Sequence, residues 1–324
     1  MADLSVTYMG LPLRNPLVAA SSGLTKSVEQ IRKCEESGAG AVVLKSLFEE
    51  EIQAEIDDQS GGTEHTEALD YIRELETAAD IQIYTRMIRD AKEAVSIPVI
   101  ASINAVSRNW WEKHVPELVD AGADAVELNL SLMPYDFKDS ESNILDFYLR
   151  TVEAVRACVN VPIAVKVGQH FTSIPAFVDR LKWAGANAVV LFNRFYQLDI
   201  DVEAFKLKSG SPFSTPDDLS LALRWITVTY GKTDAELVAS GGIHAGEDAV
   251  KALLAGAQTV QVCSALYKNG IEHLETMRRD IITWMDRHKF SSIAQFRGKL
   301  SQKRSDTPES FERLQYIKAL TERE

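Results

Sequence analysis

Short apolar runs alternate along the chain with longer amphipathic stretches. Four of the runs follow a nearly identical junction: "SGAGAVVL" from Ser37, "AGADAVEL" from Ala121, "AGANAVVL" from Ala184 and "AGAQTVQV" from Ala255. At each junction a helix ends, a glycine adopts the left-handed C-terminal cap, and a β-branched run begins a strand. The repeat predicts a series of helix-to-strand connections.

Other runs complete the set of strands. "VSIPVIASIN" and "VNVPIAVKV" place a proline at a strand start, where its missing N–H costs least, and "PLVAAS" and "ELVASGG" are two further candidates. Continuously apolar strands between amphipathic helices are typical of a parallel sheet covered by helices. The fold class is therefore α/β, and a (β/α)8 TIM barrel is predicted, with a doubly wound open sheet as the alternative. The candidate strands begin near residues 17, 41, 98, 124, 162, 188, 236 and 259.

We expect residues 1–324 to form a single domain, because the repeat extends over the whole chain. The excess over a minimal barrel lies mainly in one acidic connection, about residues 47–97, with "SGGTEH" at its loop-like centre. Long connections after barrel strands usually carry function. This one is predicted to lie over the C-terminal face as a lid.

Composition narrows the class of partner. The formal net charge of -12 disfavours a nucleic-acid groove or an anionic membrane surface, since both need concentrated Lys and Arg. The 3 cysteines are far apart and lack CxxC spacing, so neither an iron–sulfur cluster nor a zinc site is expected. Because no signal peptide or long apolar run is present, we expect a cytoplasmic protein. The net charge favours a small molecule as its substrate, and we expect no metal.

Polar residues follow the predicted strands at the end where barrels carry their chemistry. Lys45 and Lys166 stand out, because each directly follows an apolar strand and burial of its ammonium would be costly without an anionic ligand or intermediate. "ASGGIHAGEDAV" and "VCSALYKNG" place small residues beside helix starts after the last two strands, the usual phosphate position in barrels. Together they predict a phosphorylated cofactor or substrate.

These motifs resemble a known family. "NPLVAASSG", "VLKS", "ELNLS", "AVKV", "FN", "ASGGI", "VCSAL" and "FSSIAQFRGKL" are similar, in order and spacing, to the FMN-dependent dihydroorotate dehydrogenases, and most similar to the soluble class 1 enzymes. The resemblance covers nearly the whole chain. It implies FMN as cofactor, oxidation of a CH–CH bond in dihydroorotate or a related dihydro-heterocyclic acid, a role in pyrimidine biosynthesis, and a homodimer.

The resemblance also implies site residues, position by position. Asn104 matches the flavin-contacting asparagine of the membrane-associated branch, and Lys166 matches the lysine beside the flavin ring. The implied cofactor-binding residues are Ala20, Ser21, Lys45, Ser46, Asn104, Asn129, Lys166, Ser240, Gly241, Gly242, Cys263 and Ser264. The implied substrate-binding residues are Asn129, Ser131, Asn193 and Arg194.

The chain departs from the family pattern where the proton is removed. The class 1 loop reads Asn-Leu-Ser-Cys-Pro-Asn, whereas "NLSLMPYD" has Leu132 in place of the catalytic Cys or Ser, and a leucine side chain cannot act as a base. The catalytic base is therefore unknown. Arg194, which replaces a Ser or Thr, could bind a substrate carboxylate through two hydrogen bonds, so an acidic substrate is expected. The candidate replacement bases on neighbouring loops are Tyr135, Asp136, His65 and His170.

Three functions remain open. The leading one is an FMN-dependent oxidoreductase of the dihydroorotate dehydrogenase type. The second is an FMN-binding protein without dihydroorotate turnover, which the leucine at the base position favours. The third is a Schiff-base aldolase with Lys166 as nucleophile, since a lysine at a barrel strand end can hold a carbonyl substrate.

Overall fold

The computed structural model describes residues 2–48, 66–104, 108–130, 132, 135–194, 197–312 and 317, with backbone only for 66–79 and 108–110. In these ranges the strands are short, which suits a closed barrel of tilted strands. They are β1 (Val6–Tyr8), β2 (Leu11–Leu13), β3 (Leu17–Ala19), β4 (Ala41–Val43), β5 (Leu47–Phe48), β6 (Val99–Asn104), β7 (Ala125–Asn129), β8 (Ile163–Val167), β9 (Ala188–Leu191), β10 (Leu198–Asp201), β11 (Lys206–Ser209), β12 (Glu236–Ser240) and β13 (Thr259–Val262).

The predicted barrel is confirmed. The parallel strands follow the order β4-β3-β13-β12-β9-β8-β7-β6, and β4 pairs with β6 through Val42 with Val99 and Val43 with Ile100. This last pairing closes the sheet, so the open doubly wound alternative is wrong. All eight predicted strand starts fall within a residue of an observed barrel strand. The short β5 continues the line of β4 and pairs with the end of β6.

Helices cover the outside of the barrel and bury their apolar faces against the strands. In α1, for example, Ser27 caps the first turn while Ile31 and Cys34 face the core. The helices are α1 (Val28–Glu36), α2 (Thr66–Ala94), α3 (Arg108–Asp120), α4 (Glu141–Cys158), α5 (Ile174–Trp183), α6 (Leu219–Thr229), α7 (Gly246–Ala255), α8 (Ser264–Asn269) and α9 (His273–Arg287).

The long connection after β4 contains an ordinary outer helix. Ile81, Tyr84 and Ile88 of α2 are buried, and α2 contacts α1 and β6 on the side of the barrel. The whole connection of about residues 47–97 was predicted to lie over the C-terminal face, whereas its α2 part packs on the side of the barrel and residues 49–65 fall outside the described residues.

Two hairpins were not predicted. The β1–β2 hairpin closes the amino-terminal end of the barrel, where Tyr8, Met9 and Leu13 pack into an apolar cluster with inward residues such as Val43 and Val238. The β10–β11 hairpin belongs to the connection after β9 and is largely exposed. Strands of three or four residues are too short to show a period, which is why the pattern missed them.

Candidate active site

The inner surface of the barrel changes from apolar to polar along its axis. Because side chains alternate in a strand, β7 points Ala125, Glu127 and Asn129 inward in succession. At the middle level lie Glu127, Lys166 and Gln261, which are 1%, 8% and 2% exposed. Of these, sequence analysis singled out only Lys166. The signal was present: both missed residues lie two positions before a predicted strand-end residue and so share its face.

A hydrogen-bond chain holds Lys166 in the barrel centre. Its Nζ donates to Gln261 Oε1 at 3.1 Å, and Gln261 Nε2 donates to Glu127 Oε2. Burial raises the pKa of the Glu127 carboxyl, an effect that nearby Lys166 and the Gln261 hydrogen bond partly offset. The chain fixes the lysine ammonium at the level just below the carboxyl ends of the strands.

A second chain of hydroxyl groups links three neighbouring strands. Ser21 Oγ lies 3.0 Å from Ser46 Oγ, which lies 2.7 Å from Ser102 Oγ, and the Ser46 N–H donates to Ser21 Oγ at 2.8 Å. The chain therefore places the predicted Ser21 and Ser46 side by side. It also includes Ser102, which sequence analysis missed.

Strand pairing is interrupted between β4 and β5, and Lys45 and Ser46 lie in this interruption. Opposite this gap, the Ser102 N–H donates to Tyr84 Oη and Tyr84 Oη donates to the Ser102 carbonyl, both at 3.1 Å. The tyrosine of α2 thus replaces the missing strand partner, as buried backbone groups require. Burial raises the pKa of this phenol. Lys45 follows β4 half-buried, as predicted.

Other predicted residues lie at the same end of the barrel. Ala20 is buried and its N–H donates to the Val262 carbonyl at 3.0 Å, while Asn104 ends β6. Asn193 Nδ2 donates to Asn129 Oδ1 at 2.8 Å, which joins the ends of β9 and β7. The predicted Ser131 lies outside the described residues.

A cavity of about 470 Å³ opens beside these groups, and we call it the Arg194 cavity. Arg194 was expected to be free for a substrate carboxylate, but its guanidinium already has protein partners: Nη1 lies 3.5 Å from Asp218 Oδ2 and Nη2 donates to the Ser211 carbonyl at 3.0 Å. The cavity is lined by Gln169, His170, Phe192, Asn193, Arg194, Gln197, Ser214, Asp217, Asp218, Ser220, Leu221, Ser240 and Gly241.

The predicted phosphate loop contains two glycines in the left-handed region. Gly241 has φ +88°, and a Cβ added there would meet nothing within 4 Å, so its backbone faces the open cavity. Gly242 has φ +72°, and a Cβ there would lie 2.2 Å from the Leu219 nitrogen, so only glycine fits. Gly242 N–H already donates to Ser214 Oγ at 3.3 Å. Gly241 is therefore the better candidate for close approach to a ligand.

The loop after β13 is tied to this glycine pair. Ser264 Oγ accepts from the Ser214 N–H at 2.9 Å, and Lys268 Nζ donates to the Ser214 carbonyl at 2.9 Å. Burial raises the pKa of the Cys263 thiol, and Lys166 and Ser22 reduce that rise. A largely protonated thiol is a poor nucleophile, so Cys263 is better suited to shaping the site than to covalent chemistry.

Leu132 occupies the expected base position and is held by a tyrosine. The Leu132 N–H donates to Tyr148 Oη at 3.3 Å, and this hydroxyl donates to the Leu130 carbonyl at 3.2 Å. Beside it lies the Leu132 cavity of about 360 Å³, lined by Leu132, Asp139, Glu141, Ile144, Tyr148, Gly168, His170, Phe171 and Thr172. The wall combines apolar residues such as Ile144 and Phe171 with the acidic Asp139 and Glu141.

The candidate bases separate clearly by position. Tyr135 is 89% exposed, and Asp136 is exposed and accepts from the Lys138 N–H in its own turn; neither lines the two cavities. His170 lines both the Arg194 and the Leu132 cavities. His65 lies outside the described residues. Of these four, His170 is the one that the described structure brings to the site.

The described ranges contain neither a metal-ligand cluster nor a membrane-spanning helix. No group of three or more His, Cys, Asp or Glu side chains there could hold a metal ion. Within the same ranges, no helix combines the length and apolarity needed to cross a membrane.

Comparison with known proteins identifies the family. The profile of the dihydroorotate dehydrogenase family matches residues 67–285, more than half of the chain. The chain is 29% identical to the catalytic subunit of dihydroorotate dehydrogenase B (NAD(+)) from Thermoplasma acidophilum, over 92% of this chain and 99% of that one. The corresponding subunit from Thermoplasma volcanium is 28% identical over 92% of this chain and 98% of that one.

A relative with a different name is also similar. The chloroplastic dihydropyrimidine dehydrogenase (NADP(+)) of Arabidopsis thaliana is 26% identical over 91% of this chain and 76% of that one. The family predicted from the strand-end motifs is thus confirmed by matches that extend along almost the whole barrel. The chain belongs to the dihydroorotate dehydrogenase family.

Proposed function

We propose that the protein is an FMN-dependent oxidoreductase that acts on a CH–CH bond in a small dihydro-heterocycle, in pyrimidine metabolism. By name, the Thermoplasma relatives act on dihydroorotate and the Arabidopsis relative acts on a dihydropyrimidine. The observation that carries the proposal is the buried Lys166, fixed by Gln261 at the polar level of the barrel and next to the Asn129–Asn193 pair.

The residues at this end of the barrel fit FMN. A bound FMN would supply the acceptor for the hydride that leaves the substrate carbon. The Lys166 ammonium would favour negative charge on the reduced ring, and a buried ammonium acts strongly because little water screens it. Ser21, Ser46 and Asn129 offer polar contacts to the ring, and Gly241 offers its open backbone to the phosphate.

We assign to His170 the role of the base that removes the substrate proton. Leu132 has no titratable atom, and His170 is the candidate that lines the Arg194 cavity together with Asn193. Imidazole is suited to this step because a ring nitrogen can accept a proton. His170→Gln should slow flavin reduction by substrate by about 10²-fold or more, with FMN affinity unchanged. Equal rates in the variant and the wild type would exclude His170 as the base.

The FMN assignment can be tested with a matched pair of glycine variants. Gly241→Ala and Gly10→Ala impose the same kind of strain, since the two φ angles are +88° and +82° and neither Cβ would meet an atom within 4 Å. Each should cost about 1–2 kcal/mol of stability. Gly241 lines the Arg194 cavity, whereas Gly10 lies in the β1–β2 turn at the other end of the barrel.

FMN affinity is measured by quenching of free FMN fluorescence on titration with protein. The wild type and Gly10→Ala should bind with the same dissociation constant, and Gly241→Ala should bind at least about tenfold more weakly, because its methyl group fills the space of the ligand. No quenching by the wild type would refute the FMN assignment. Equal FMN affinities in all three proteins would show that the phosphate does not bind beside Gly241.

The two alternatives make different predictions. A flavin-binding protein without turnover would bind FMN and leave it oxidised with every dihydro-heterocycle tested. A Schiff-base aldolase would need Lys166 Nζ free for a carbonyl carbon, whereas this nitrogen donates to Gln261 and the residue is only 8% exposed. Borohydride trapping with a keto substrate would label Lys166 in that case alone. The buried hydrogen bond favours the flavin function over the aldolase.

We further propose a cytoplasmic homodimer that assembles through the β10–β11 hairpin. One hairpin face carries the exposed Leu198, Ile200 and Leu207, and Phe205 near the tip is 91% exposed. Exposed apolar groups this dense mark interaction surfaces. The charged residues lie on the opposite face and pair within the hairpin, as Lys208 Nζ does with Asp199 Oδ2 at 3.1 Å, so the apolar face is left for a second copy of the chain.

Phe205→Asp should shift the protein from dimer to monomer in sedimentation velocity. Phe137→Asp is the control, because Phe137 is 109% exposed but lies outside the hairpin. The control should remain a dimer. A wild type that is monomeric at all accessible concentrations, or a dimer that Phe205→Asp leaves intact, would contradict the assembly.

A further inference from the structure

We propose that Asp218 sets the charge class of the substrate by occupying Arg194, so that the site selects an uncharged dihydropyrimidine-type ring over the same ring with a carboxylate. This inference rests on the proposed function. It differs from the sequence-based expectation of an acidic substrate. The reason lies in Arg194, the one arginine or lysine among the described residues that line the cavity, because its guanidinium already contacts protein oxygens.

The guanidinium of Arg194 is held from two sides. Asp218 Oδ2 lies 3.5 Å from Nη1, and the Ser211 carbonyl accepts from Nη2 at 3.0 Å. Ser211 lies just after the β10–β11 hairpin and Asp218 lies at the start of α6, so the arginine connects two loops that border the cavity. Each terminal nitrogen thus already faces a protein oxygen, so a bidentate carboxylate would have to share at least one of these nitrogens.

Asp218 cannot easily turn away to release the arginine. Its Oδ2 accepts from the Thr215 N–H at 2.7 Å, a bond that caps the turn over Pro216–Asp218. The carboxylate is therefore anchored by its own loop, independently of Arg194. A substrate carboxylate would have to share the arginine with a fixed competitor of the same charge.

The charge balance of the cavity points in the same direction. Among the arginine, lysine, aspartate and glutamate side chains of the described lining, Arg194 contributes +1 and Asp217 and Asp218 contribute -1 each, which gives a sum of -1. The neighbouring ammonium groups do not change this result. Lys45, Lys166 and Lys268 do not line the cavity, and the last two donate to Gln261 and to the Ser214 carbonyl. An anionic ring would therefore meet a net negative wall.

The test compares two ligands that differ by one carboxylate, uracil and orotate, on the FMN-loaded protein. Binding is followed by the change in flavin absorbance and by isothermal titration calorimetry, neither of which needs turnover. The wild type should bind uracil at least about tenfold more tightly than orotate. Asp218→Asn keeps an oxygen acceptor for Thr215 N–H while it removes the charge, so it should tighten orotate about tenfold and leave uracil within about twofold.

Asp217→Asn is the matched control, because Asp217 lines the same cavity without contacting Arg194. It removes the same unit of charge from the lining but leaves the Arg194–Asp218 pair intact, so it should tighten orotate binding by less than about threefold. Asp218→Ser, which can also accept from Thr215 N–H, provides a second variant if the asparagine protein does not fold. Both Asp218 variants should invert or erase the preference for uracil.

Three results would overturn the inference: tighter binding of orotate by the wild type, an unchanged uracil-to-orotate ratio in both Asp218 variants, or binding of neither ring to the FMN-loaded protein. Failure to load FMN at all would instead refute the proposed function. The two failures are therefore distinguishable in the first titration.

Discussion

Glu127→Gln tests whether the buried carboxyl beneath the site is an electrostatic burden on the fold. The substitution keeps the shape of the side chain and an oxygen that can accept from Gln261 Nε2, and it removes one titratable proton. Glu127 is 1% exposed, and burial raises its pKa above the ordinary value of 4.5. The variant should therefore change how stability depends on pH.

The sign follows from proton binding. Since the folded protein holds the Glu127 proton more tightly than the unfolded chain, unfolding releases a proton in the range above pH 4.5. Rising pH then favours the unfolded state of the wild type, and the slope for one proton is at most about 1.4 kcal/mol per pH unit. The loss continues until pH reaches the folded pKa. Glu127→Gln lacks this proton and loses no stability from it.

Differential scanning fluorimetry between pH 4.5 and 8 gives the measurement, with wild type and variant in the same ligation state. One kcal/mol corresponds to about 2 °C in a protein of this size, so the melting temperature of Glu127→Gln minus that of the wild type should rise by up to about 3 °C per pH unit. Glu153→Gln, on the exposed face of α4, is the control and should show no such slope. Parallel wild-type and Glu127→Gln profiles would refute the raised pKa.

Three other variants probe the strand ends. Tyr84→Phe removes a hydroxyl that both donates to and accepts from buried backbone groups, so the melting temperature should fall by about 2–6 °C. Tyr148→Phe should lower the melting temperature by a similar amount. Tyr135→Phe, at an 89% exposed position, is the control and should stay within about 1 °C of the wild type. Equal melting temperatures for these two variants would show that the Tyr148 hydroxyl has no structural role. Leu132→Cys should speed flavin reduction by dihydroorotate by no more than about tenfold in rapid mixing, because Leu132 packs against the hydrophobic core and burial there disfavours the thiolate. A gain of about 10²-fold or more would show that the site is otherwise intact for that substrate.

The barrel was predictable because its signal repeats. Each strand is a continuous apolar run, and four of the junctions share a glycine such as Gly122, whose φ of +104° confirms the left-handed cap. The inward polar layer was predictable in principle by stepping back two residues from Asn129 to Glu127 and from Cys263 to Gln261. The β10–β11 hairpin gave no comparable signal, because its alternation covers only four residues in each strand.

The tyrosines that complete the strand ends could not be predicted. Tyr84 and Tyr148 each lie 18 residues from the backbone carbonyl that they satisfy, and each reaches it from an outer helix. Nothing local distinguishes them from other aromatic residues that face a core. Their role depends on where a strand stops pairing, which only the assembled barrel determines.

The same limit separates the proposed cofactor half of the site from the proposed substrate half. Lys166 and Ser21 lie on or next to barrel strands, so strand counting places each of them correctly without knowledge of its partners. The function of Arg194 depends instead on Asp218, which lies 24 positions along the chain and meets it only because the segment after the hairpin turns back to the start of α6. An arginine viewed alone predicts an anionic substrate, and the same arginine paired with a fixed aspartate predicts the opposite. The motifs therefore predict where a flavin would bind, while the proposed choice of substrate rests on a contact between loops that no single motif contains.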